Sequence, residues 1–197
     1  MSLFKASELI SNSSFAIFDL ETTGLDFIND DILEICIFET KENEIKSKFH
    51  SYIKSDKKIR PRITAINKIG SEDVANSPLI DEVAKEIIRL YPKHIFVAHN
   101  CFGFDANMLM SKCPKLFNDK MFLDTREMAS DIFPNLDSVS MTSLTDFLGI
   151  KIKDQHTATG DVAALCKVFN ILISKLDRPD SINKYIRRGS TFVKSKV

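Results

Sequence analysis

Four carboxylates and one imidazole stand in three short strings of this 197-residue chain. Asp19 and Glu21 lie in Asp19-Leu20-Glu21-Thr22-Thr23-Gly24, and Asp105 ends His99-Asn100-Cys101-Phe102-Gly103-Phe104-Asp105. His156 and Asp161 bracket His156-Thr157-Ala158-Thr159-Gly160-Asp161. Hard divalent cations such as Mg²⁺ and Mn²⁺ prefer oxygen ligands, and two of them about 4 Å apart can stabilise both the attacking and the leaving oxygen of an in-line phosphodiester displacement. An imidazole is then free to act as base.

Each string also has a plainer reading. Asp19 and Glu21 alone could open a solvated loop, Asp105 could be an acid favoured by a helix dipole, and His99 could be an ordinary hydrogen-bonded histidine. The third string is the most specific. A fixed H-x-A-x-x-D pattern arises by chance in roughly one of several thousand windows if each residue type is used at about 5%, and here it follows the other two strings in order.

The elements that would position these groups are legible around them. Phe15-Ala16-Ile17-Phe18 reads as a buried strand, and alternation puts Asp19 and Glu21 on one face of it. Gly24 then lets the chain turn. Ile95-Phe96-Val97-Ala98 reads the same way, with His99 and Asn100 at its exit and Asp105 at the start of the helical pattern Ala106, Leu109, Met110. Asp161 opens a longer one through Val162, Leu165, Cys166, Val168, Phe169, Leu172 and Ile173. The small residues Ala158, Gly160 and Ala163 suit close backbone approach.

Taken together the motifs resemble the DEDDh class of 3′→5′ exonucleases, which includes the epsilon proofreading subunit of bacterial DNA polymerase III, ribonuclease T and oligoribonuclease. The resemblance covers nearly the whole chain. Ile66-Asn67-Lys68-Ile69-Gly70 to Val74, then Ser77-Pro78, is similar to the epsilon-type H-G-I-T connection, with Asn67 and Gly70 in place of the His and Thr. Leu123-Asp124-Thr125 resembles the family's D-T strand end, and Phe133-Pro134 to Ile150 its following helical segment.

The resemblance implies that Asp19, Glu21, Asp105 and Asp161 hold two divalent cations, Mg²⁺ or Mn²⁺, with Asp105 acting partly through water. It implies that His156 deprotonates the attacking water. It further implies that the Thr22 backbone N–H and Glu21 hold a terminal 3′-hydroxyl, that Leu25 and Phe104 wedge against the last bases, and that His99 lies beside the nucleotide. Phe104 could equally be a core aromatic and Leu25 a turn-flanking apolar residue.

Strands are expected at about 15–20, 31–40, 45–53, 94–98 and 120–123. Helices are expected at about 79–90, 104–112, 124–131 and 140–148 and after Asp161. This order predicts an α/β domain of the ribonuclease-H-like kind, a mixed five-stranded sheet flanked by helices. Residues 1–176 form the expected exonuclease domain. Residues 177–197 form a polar basic extension, with Asp177-Arg178-Pro179-Asp180 ending the fold.

The charge is balanced, 27 basic against 27 acidic residues, but unevenly spread. Lys41 to Lys68 holds nine basic residues against three acids, and no acid follows Asp180. Both stretches could attract phosphates or could be solvated surface. No run is long enough for a membrane span and no start resembles a signal peptide, so a cytoplasmic home is expected. Cys36, Cys101, Cys113 and Cys166 lack C-x-x-C spacing and read as reduced structural residues, with Cys101 set apart by its place in the second motif.

Three functions fit. The first is a 3′→5′ exonuclease releasing nucleoside 5′-monophosphates from a single-stranded or frayed DNA end, in proofreading beside a polymerase partner or in repair. The second moves the same chemistry to RNA. The third is a non-catalytic nucleic-acid-binding module, which five filled catalytic positions disfavour. The epsilon-like wording of Asp19 to Gly24 favours DNA.

Overall fold

The structure of the chain, a computed structural model, describes residues 13–42, 44–152 and 157–192. Strands β1 (Phe15–Thr22), β2 (Ile32–Lys41) and β3 (Glu44–Tyr52) form an antiparallel meander. On the other side of β1, β4 (Ile95–Ala98) and β5 (Met121–Asp124) run parallel to it, and β6 (Ile186–Arg188) pairs antiparallel to β5. The sheet order is β3-β2-β1-β4-β5-β6. The ribonuclease-H-like α/β architecture is the expected one, but among the described residues the sheet has six strands where the sequence pattern predicts five.

Period-two alternation in β1 divides the core. Ala16, Phe18 and Leu20 face one layer, where Phe18 meets Phe96 and Phe122 edge-on at 6.0 and 6.4 Å. That layer is built from α3 (Ile80–Leu90), α4 (Asp105–Lys112) and α5 (Pro114–Phe117). Phe15 and Ile17 face the other layer, built on α6 (Thr125–Ile132), α7 (Met141–Phe147) and α8 (Ala158–Ser174). Asp19 and Glu21 continue the second row, so the pleat alone aims both acids toward the α8 side.

Local chemistry starts the site-bearing helices where they start. Thr157 caps α8, its hydroxyl accepting the Gly160 N–H at 3.1 Å, which leaves Asp161 in the first turn. Asp124 caps α6 through the Arg126 N–H at 2.8 Å. Between β3 and α3 the chain forms two short helices that the sequence pattern did not reveal, α1 (Pro61–Asn67) and α2 (Ser71–Val74). Pro61 suits the first turn of α1, where its missing N–H costs nothing.

The segment after residue 176 corrects the expectation of a polar extension. Ile182, Tyr185 and Phe192 are buried, and β6 hydrogen-bonds along β5. Gly189 donates to Lys120 O at 2.8 Å and Ser190 to Asn118 O at 2.8 Å. A Cβ on Gly189 would stand 2.0 Å from the Phe117 carbonyl oxygen, so the backbone approach requires glycine. Phe192 stacks on Phe102 at 5.3 Å, and the Arg187 guanidinium lies 4.1 Å from the same ring.

Candidate active site

Three of the predicted acids meet. Asp19 and Glu21 from the end of β1 and Asp161 from the first turn of α8 each offer an oxygen, all within 4.8 Å of one another. Asp105, the first residue of α4, reaches the group from the opposite layer; it is buried, and its charge acts on Asp19. The four come from two strand positions and two helix starts at the carboxyl ends of parallel strands, where open α/β sheets leave a crevice.

The electrostatics are those of unshielded like charges. Burial first, then the charges of Asp105, Glu21, Asp161 and Glu34, holds the Asp19 carboxyl well above the usual carboxylate range. Burial and then Glu34 and Asp161 push Glu21 up to about 7. Burial, with Asp124 and Glu21 adding to it, raises Asp105. Clustered half-buried oxygens with this much mutual repulsion are a donor set suited to hard divalent cations, which would neutralise it.

The second motif forms a braced loop. Asp124 accepts the Asn100 N–H at 2.9 Å and the Phe102 N–H at 3.0 Å, and Asn100 takes the left-handed conformation at φ 62°. Arg126 donates to the Asn100 side-chain oxygen at 3.1 Å. His99 is half-buried with Nδ1 3.0 Å from Thr125 Oγ1, and burial lowers its pKa. Phe104 packs partly against the first core layer. Cys101 is wholly buried, and all four cysteines are free thiols, so the second-motif cysteine is as structural as the others.

Beside Glu21 a groove of about 620 Å³ opens between the β1 exit and α1. Thr22 and Leu25 line it with Arg60, Arg62, Ile66 and Asn67. Leu25 is 82% exposed, an apolar side chain held out in water. Arg60 donates to Thr23 O at 3.0 Å and ties the turn to α1. His156, the expected base, lies outside the described residues.

Two residues at the site were not singled out by the sequence. Glu34 of β2 pairs with Glu21 across the ladder and is 5% exposed, yet in sequence it is one polar position in an apolar strand. Asn67, 4% exposed, lines the groove with Glu21 from α1, and its amide works against the rise in the Glu21 carboxyl. Its departure from the family wording was the one signal that pointed to it.

The exonuclease family RNase_T matches residues 16–169. The chain belongs to this family and carries an exonuclease domain. It is 31% identical over 172 residues to the DNA polymerase III PolC-type of Caldanaerobacter subterraneus subsp. tengcongensis, covering 86% of this chain and 12% of that protein. It is 32% identical over 169 residues to the 3′-5′ exonuclease DinG of Staphylococcus epidermidis, covering 84% and 19%. The chain therefore spans less than a fifth of the length of these curated relatives. Among solved structures, the zinc-bound E. coli ExoI–ssDNA complex shares the fold at a TM-score of 0.72 and 20% identity, over 87% of this chain and 42% of that one. A 3′-exonuclease recognising a histone mRNA stem-loop does so at 0.72 and 14%, over 89% and 85%.

Proposed function

We propose that the chain is a divalent-cation-dependent 3′→5′ exonuclease that removes nucleoside 5′-monophosphates from a single-stranded or frayed DNA end. The observation that carries this reading is the meeting of Asp19, Glu21 and Asp161 within 4.8 Å, with Asp105 buried beside them. The names of the relatives, a DNA polymerase III and a 3′-5′ exonuclease, support it. The choice of DNA over RNA follows the epsilon-like wording of Asp19 to Gly24.

In this reading Asp19, Glu21 and Asp161 hold a pair of cations, Mg²⁺ or Mn²⁺, with Asp105 contributing partly through water. When bound, such a pair neutralises the acids and stabilises charge on the phosphodiester undergoing displacement. The chain's own groups do the rest. His156 accepts the proton of the attacking water, and the Thr22 N–H with Glu21 holds the 3′-hydroxyl. Leu25 and Phe104 wedge against the terminal bases and His99 lies along the nucleotide. Arg60 and Arg62 supply positive charge at the groove for the phosphates. Four free buried thiols suit a reducing cytoplasm, and no helix among the described residues is long and apolar enough to cross a membrane.

The test is incubation with 3′-labelled single-stranded DNA, matched and mismatched duplex and RNA of the same sequence, with Mg²⁺, Mn²⁺ or chelator. Stepwise release of 5′-mononucleotides, fastest on single-stranded or mismatched DNA and absent in chelator, is expected. RNA cleaved tenfold faster than DNA would move the assignment to an exoribonuclease. No hydrolysis with either cation would leave a binding module.

A further inference from the structure

The Glu21 carboxylate has a different neighbour on each side. On the β2 side, Glu34 occupies the paired position of the antiparallel ladder, so the two carboxylates share one face of the sheet. On the α1 side, Asn67 lines the same groove as Glu21, and its amide oxygen accepts the Ile69 N–H at 3.1 Å, so the amide nitrogen is the end that can donate to a carboxylate. Glu34 is fixed from the far side of β2, where His50 on β3, diagonal to it in the register, holds Glu34 Oε1 through Nε2 at 2.5 Å. The Glu34 side chain is 7% exposed while the His50 ring is 43% exposed, so the tether runs from the sheet surface inward.

A second buried carboxylate placed against Glu21 is costly unless it serves the site. Among the described residues, the three-carboxylate cluster does not include Glu34, so it acts on that cluster without joining it. We infer that Asn67 and Glu34 are positioning residues for Glu21: the amide anchors one carboxylate oxygen, and the tethered acid repels the group from β2, so that the other oxygen is presented to Asp19 and Asp161. This inference rests on Glu21 being a cation ligand. It gives His50 a role at a distance, holding Glu34 in place.

Mn²⁺ binding to the full chain without nucleic acid, followed by calorimetry or electron paramagnetic resonance, tests it. Groups that orient a metal ligand typically change affinity when removed, so Glu34→Gln and Asn67→Ala should each weaken Mn²⁺ binding roughly tenfold, and His50→Ala should weaken it less. Glu34→Gln should also raise the thermal midpoint in chelator, since a buried repulsion is relieved, while shrinking the rise on adding Mn²⁺. A purely structural glutamate would do the opposite in chelator. Unchanged Mn²⁺ affinity in both Glu34→Gln and Asn67→Ala would overturn the inference, provided Glu21→Gln weakens binding. If Glu21→Gln also binds Mn²⁺ normally, the assignment of Glu21 as a ligand fails first and the inference falls with it.

Discussion

Phe15 in β1 meets Phe169 in α8 edge-on, with ring centroids 5.0 Å apart. Asp19 stands four residues further along the strand, about 13 Å, and Asp161 stands eight residues back along the helix, about 12 Å. The matched spans mean that α8 runs antiparallel to β1 and that this ring contact sets the height at which the two carboxylates meet.

Phe169→Ala should therefore injure both stability and chemistry. Loss of a buried ring costs about 3–5 kcal/mol, read as a lower urea midpoint. Where the variant stays folded, nucleotide release should fall roughly tenfold or more, since small displacements of catalytic groups are amplified in rate. Phe169→Leu should keep most of both. Full activity in folded Phe169→Ala would show that the carboxylates keep their register without the ring.

Asp19 tests the site directly. Asp19→Asn should abolish hydrolysis in Mg²⁺ while raising stability in chelator, because it removes the charge at the centre of the repelling group. Near-native rates in this variant would displace the site.

The acids also set a pH dependence for the cation-free chain. Asp19, Glu21 and Asp105 have raised values in the folded state, Glu21 from an ordinary 4.5 to about 7. The folded chain then binds more protons than the unfolded one across that window, so their stabilisation is full below the unfolded value and is lost as pH rises. In chelator, the thermal midpoint should fall between pH 5 and about 7.5. Saturating Mn²⁺ should abolish that fall. A midpoint that climbs with pH in chelator would contradict the repulsion described for the site.

His156 carries an expectation drawn from residue type and spacing. General-base catalysis contributes about 10²- to 10⁴-fold, so His156→Ala should lose about that much single-turnover rate while still binding Mn²⁺. The inflection near neutral pH should vanish with it. An unchanged pH profile would require another base.

Gly189 reports on the terminal strand. Gly189→Ala must push a methyl against the Phe117 carbonyl and should cost about 1–3 kcal/mol, a loss of several degrees in thermal midpoint. Because Arg187 of β6 and Phe192 just beyond it brace Phe102, activity should decline as well. A midpoint equal to the parent's would show that β6 separates from β5 at little cost.

Much of the site is local in origin and was readable in the chain. A strand alternates every second residue, so Asp19 and Glu21 share a face whatever surrounds them. Asp105 and Asp161 fall in first turns beside whatever those helices start near. The strand row follows from backbone periodicity and the place of Asp161 from the Thr157 cap, whereas the helix of Asp105 starts without a side-chain cap and is announced by its apolar periodicity alone.

What surrounds Glu21 was decided elsewhere. Glu34 became its neighbour through the register of β1 with β2, and Asn67 through the packing of a short helix whose sequence carries little periodic signal. The sixth strand joined through backbone hydrogen bonds to an open sheet edge. Such bonds are indifferent to side chains, so Ile186-Arg187-Arg188 carries no pattern to announce them. Register, helix docking and edge pairing are contacts between distant segments, and their energy exists only once the chain has closed on itself.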